Sequence, residues 1–138
     1  MSRSTFHLFV ELTPRGAVTP VMTYSGNSRV PTDVTIVEKS VHFAAKDAWT
    51  LQAPMSGPCM LALAVYLPRP ARVTRSEPYR DSDDTTAFAA LVIRALRGVV
   101  LSDTRQVVGI TVSKLWCPVG QEPGFKITLD ALAPQEAV

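Results

Sequence analysis

The sequence predicts an α+β protein, one domain built as a mixed sheet of four to five strands with two helices packed on it. Three observations predict this. The run Cys59-Met60-Leu61-Ala62-Leu63-Ala64-Val65-Tyr66-Leu67 is apolar throughout, as in a central strand covered on both faces. Two other stretches, about 35–48 and 83–97, repeat apolar residues at helical spacing. Shorter runs that alternate or carry strand-forming residues lie at both ends of the chain. With 138 residues, 46% hydrophobic and 19% charged, the chain can bury one core and is unlike a disordered sequence.

In order, Phe6 to Leu12 reads as a first strand, with Phe6, Leu8, Val10 and Leu12 on one face. His7 shares the other face with Glu11 and reads as a surface histidine. Pro14, Gly16 and Pro20 mark a turn, and 21–24 suits a short second strand. Thr35 and Glu38 have the spacing of a capping box. Val37, Val41, Ala44, Ala45 and Ala48 then share one face of a helix over about 35–48, leaving His42 solvated beside the polar face. Pro54, Gly57 and Pro58 lead into the apolar strand, where Cys59 reads as core. Pro68 and Pro70 close that strand. In the second helix Phe88, Leu91, Val92, Ala95 and Leu96 form the buried stripe. Arg94 and Arg97 suit its negative end, and Gly98 suits the position just past it. From Gln106 to Trp116 the chain alternates, with Val108, Ile110 and Val112 on one face. A turn at 118–124 precedes a last strand at 125–129, and the tail frays from about 134. Strand, helix and strand over 59–116 form a crossover with parallel strands. The last two strands read as an antiparallel hairpin.

Net charge is only +2, so overall charge does not identify a partner. Its distribution is more informative, because Arg69, Arg72, Arg75 and Arg80 crowd one segment. They suit either a solvated loop or a track for phosphates. Two cysteines, Cys59 and Cys117, have no metal-ligand spacing and imply reduced thiols in a cytoplasm. The opening residues resemble neither a signal peptide nor a membrane span.

Asp81, Asp83 and Asp84 follow those arginines at the start of the second helix, and Asp103 lies just past its end. Acidic residues at a helix start can serve only as caps. They can also share a hard cation such as Mg²⁺, which takes oxygen ligands. Asp81 and Asp83 point the same way if the entry to the helix is extended. Asp103 reaches them if Val99-Val100-Leu101 is extended and runs back beside the helix. A carboxylate-held Mg²⁺ beside arginines points to phosphodiester chemistry.

Arg80-Asp81-Ser82-Asp83, Gly98, Leu101-Ser102-Asp103 and Gln106-Val107-Val108 together resemble the signature of the RusA-type Holliday-junction resolvases. Tyr66-Leu67-Pro68-Arg69-Pro70 and Lys114 are similar to the family as well. The resemblance covers about 65–116. It implies a RusA-like fold and a homodimer that nicks two opposed strands of a four-way DNA junction in recombination and repair. It implies Mg²⁺, with Mn²⁺ as substitute, held by Asp81, Asp83 and Asp103 as catalytic ligands, with Asp84 beside them. Lys114 matches a basic residue of the family, and beside it Arg69, Arg72, Arg75 and Arg80, read from their clustering, are expected to contact DNA. Phage or prophage origin is common in that family. The chain departs from the signature at three places. Asp84 replaces an asparagine, Ala87 stands where a catalytic lysine is expected, and one extra residue before Gln106 leaves Asp103 or Thr104 in the last acidic position. A junction-binding protein that no longer cuts is the alternative.

Overall fold

The structure is a computed structural model that describes residues 5–17, 21–22, 28–29, 32–50, 53–69 and 84–132. Arg72, Arg75, Arg80, Asp81, Asp83 and the tail from 134 lie outside the described residues. The elements are β1 (Thr5–Glu11), β2 (Val21–Met22), β3 (Ser28–Arg29), α1 (Thr32–Ala48), β4 (Cys59–Leu67), α2 (Thr85–Leu96), β5 (Val107–Trp116) and β6 (Gly124–Ala131). A short 3₁₀ turn, Thr104–Gln106, leads into β5.

The main sheet has the order β1-β6-β4-β5, and β2 pairs with β3 in a separate two-stranded ribbon. The mixed α+β architecture with two helices is therefore present. β4 and β5 are parallel and joined through α2, as the crossover reading requires. The expected final hairpin is absent. β6 does not pair with β5 but inserts antiparallel between β1 and β4. The physical reason is burial. Phe125, Ile127 and Leu129 are completely buried, which a central strand achieves and a hairpin edge does not.

Both helices lie on one face of the sheet. α1 buries Val34, Val37, Val41 and Ala45 there, and α2 buries Phe88, Leu91, Val92, Ala95 and Leu96. They meet Leu61, Leu63 and Val65 of β4 and the three apolar residues of β6 in one core. Burying this apolar area is the main force holding the layers together. α1 begins at Thr32, so Thr35 and Glu38 are inside the helix rather than at its cap. Glu38 instead receives Arg94 of α2 at 2.7 Å, tying the two helices together. His42 is half-buried, and its Nδ1 donates to the Ala95 carbonyl at 2.9 Å, so it is not the solvated residue expected.

The apolar run of β4 is covered on one face only. Its odd-numbered residues are buried, whereas Met60 and Ala62 are exposed and Ala64 and Tyr66 are half-buried. Two alanines make that face read as apolar although neither needs burial. Cys59 is buried as expected, and burial pushes its thiol pKa up. Cys117 is also buried and free. No helix among the described residues is long and apolar enough to cross a membrane.

Candidate metal and nucleic-acid site

α2 starts at the end of the sheet where β4 and β5 finish. Asp84 is its N-cap, with φ −61° and ψ 150°, and its side chain makes no capping hydrogen bond. The helix start is instead tied to the chain after β1, where the Ala17 amide donates to the Ala87 carbonyl at 2.8 Å. Asp84 is thus an exposed carboxylate not committed to capping.

Arg69 and Lys114 lie at the same end. Arg69 follows β4 by two residues, next to the point where the Cys117 amide donates to the Leu67 carbonyl. Its charge is felt by the Cys117 thiol, whose pKa burial raises and Arg69 pulls back. The Arg69 Nη1 atom is buried with no hydrogen-bond partner among the described residues. A guanidinium nitrogen in that state carries a desolvation penalty, which an anion placed there would relieve. Lys114 pairs with Val65 in the parallel register, so it shares the helix-bearing face near the end of β5.

Asp103 lies elsewhere. After α2 the chain does not run back extended. Gly98, at φ +83°, opens a tight turn in which the amides of Val99, Val100 and Leu101 all donate to the Leu96 carbonyl. Asp103 then sits at the start of β5, the end opposite Asp84. α2 separates the two with 12 residues, or ~18 Å of helix. Asp103 and Asp84 therefore do not approach each other within the chain, while Asp81 and Asp83, expected to share an ion with Asp103, lie outside the described residues. Thr104 opens the 3₁₀ turn that Asp103 caps, so both lie at that end.

Asp103 caps the turn that leads into β5. Its Oδ1 accepts from the Arg105 amide at 2.8 Å, and its Oδ2 accepts from Arg105 Nη2 at 2.8 Å. Arg105's side-chain hydrogen bonds, then its backbone amide, hold the carboxyl down at about 2. Gln106 completes a capping box. Its Oε1 accepts from the amides of Ser102 and Asp103, each at 2.8 Å. Its Nε2 donates to the carbonyls of Met55 and Gly57 at 2.7 and 2.9 Å. The sequence carries a signal for this turn, because Asp103-Thr104-Arg105-Gln106 has capping-box spacing.

No three acidic, histidine or cysteine side chains converge among the described residues. Of the acidic residues expected to hold an ion, Asp84 is a hard oxygen donor with no side-chain cap bond, and Asp103 is paired with Arg105. No protein-family model matches the chain, and no curated protein matches it.

Proposed function

We propose that the chain is a Mg²⁺-dependent endonuclease of the RusA type that cuts four-way DNA junctions in the cytoplasm by paired nicks. The observation that carries this reading is the buried, unpartnered Arg69 nitrogen at the same end of the sheet as Lys114 and the uncommitted Asp84. Cations there would hold a phosphate, and carboxylates there would hold a divalent ion. Asp81, Asp83 and Asp84 are assigned to the ion. Arg69, Arg72, Arg75, Arg80 and Lys114 are assigned to the DNA backbone, with Arg69 setting the depth of the phosphate. Mg²⁺ or Mn²⁺, when bound, supplies an acidified water for attack and positive charge beside the phosphoryl oxygens. Two cuts related by junction symmetry call for two related sites, hence a homodimer.

A second reading, binding without cutting, is favoured by one specific feature. α2 contains no lysine, and Ala87 occupies its first turn. Arginine elsewhere does not replace a compact ammonium at a fixed position. A synthetic four-way junction separates the two readings. Paired nicks that need Mg²⁺ or Mn²⁺ support the nuclease. Tight, salt-dependent binding with no nicks in either metal supports the second reading. Neither binding nor nicks removes both.

A further inference from the structure

The sheet face opposite the helices carries no element among the described residues, and its side chains form an ordered grid. Phe9, Lys126 and Ala64 are partners in one row across β1, β6 and β4. Glu11, Gly124 and Tyr66 make the next row. The Phe9 and Tyr66 rings are 6.4 Å apart and tilted by 54°. Phe9 is 43% exposed, a large apolar ring left in water. Gly124 lies beneath it: an added Cβ would come within 3.0 Å of Phe9 Cζ and would also meet the Val10 carbonyl oxygen. The absent side chain lets the Phe9 ring settle toward Tyr66.

These rings border a cavity of ≈ 450 Å³, within the range that holds a small ligand. Lys126, His7, Thr128 and Gln121 supply its polar lining, with His7 Nδ1 3.3 Å from Thr128 Oγ1. Among the described residues no carboxylate lines it, although Glu11 and Asp130 lie on the same face. Lys126 is thus the one lysine or arginine among its described lining residues.

We propose that this cavity binds one unpaired nucleotide of a single strand, with its base against the exposed face of Phe9 and its phosphate at Lys126. A flat ring and an anion together are needed to use what the cavity offers. An aliphatic anion would leave the rings in water, and an uncharged aromatic would leave the lysine without a partner. The ring geometry sets the mode. A base sandwiched between two rings needs about 7 Å, two contacts of roughly 3.5 Å, between parallel planes. The rings here are closer and tilted, so the base stacks on Phe9 and meets Tyr66 through its edge. The site is on the face away from α2 and does not rest on the nuclease reading.

Fluorescence anisotropy of labelled octathymidylate and octauridylate, both in EDTA, tests the proposal and distinguishes DNA from RNA. Binding of either is expected, weakened about tenfold by Phe9→Ala or Tyr66→Ala and retained in Phe9→Trp. Lys126→Glu should weaken it at least as much and flatten its salt dependence. Circular dichroism melts verify that each variant folds, and Lys126→Glu alters an exposed side chain outside the core. Absence of binding to both strands, or binding equal in all variants, overturns the proposal. Loss of a dimer in sedimentation with strand binding unchanged also overturns it, and makes the face a contact between copies of the chain.

Discussion

Asp103 is held by Arg105, at 2.8 Å, and not by another carboxylate. The pair sets a pH dependence with a definite sign. The Asp103 pKa is lowered from 3.8 to about 2, so its contribution to stability is complete above 3.8 and fades as pH falls toward 2. Asp103→Asn should lower the urea midpoint at neutral pH, with the difference from the parent shrinking across that acid window. A difference independent of pH would contradict the pairing. Gln106 gives a sharper chemical test. Gln106→Glu keeps the acceptor for Ser102 and Asp103 but turns the other oxygen against the Met55 and Gly57 carbonyls. We expect about 2 kcal/mol of destabilisation at pH 7, partly recovered when the carboxyl is protonated, measured by denaturant titration at both pH values. Residue roles were only partly legible. Cys59 as core and His7 at the surface follow from patterning. His42 did not, because its partner, the Ala95 carbonyl, is 53 residues away and leaves no local trace.

Among the elements, β6 was the least legible and matters most to the sheet. Its neighbours in sequence gave a hairpin, but its three alternating apolar side chains fill the middle of the core between β1 and β4. Local spacing identifies a strand; it does not identify which strands lie beside it. Gly124→Ala tests that insertion, because the added methyl meets the Val10 backbone, which cannot move aside as a side chain can. Destabilisation of about 1–3 kcal/mol is expected in thermal or urea unfolding. Amide exchange should quicken in β1 before β4. A silent substitution would contradict the close β1–β6 approach. The helices were legible because each repeats its apolar residues over several turns, and α2 ends close to where Gly98 requires. The start of α1 was missed by three residues because a capping-box spacing falls inside it by coincidence. The alternation read in β5 was also imperfect: a register shift between Cys59 and Met60 slips the pairing beside Val108, so Val107 rather than Val108 packs against the core.

At the scale of the molecule, two chemistries are kept apart. One end of the helix-bearing layer holds Arg69, Lys114 and Asp84, while Asp103 anchors the opposite end. The acidic and basic segments were visible in the sequence, but the path of the chain from Asp84 to Asp103 was not. That depended on whether 99–101 extends or turns, and the hydrogen bonds to Leu96 decide for a turn. The assignment of the ion to the start of α2 makes a comparison of two substitutions decisive. Nicking of a four-way junction in Mg²⁺ should fall by about 100-fold or more in Asp83→Asn and stay within a few-fold of the parent in Asp103→Asn. Nicking that survives Asp83→Asn, or that is abolished by Asp103→Asn in a protein that still folds, would contradict it.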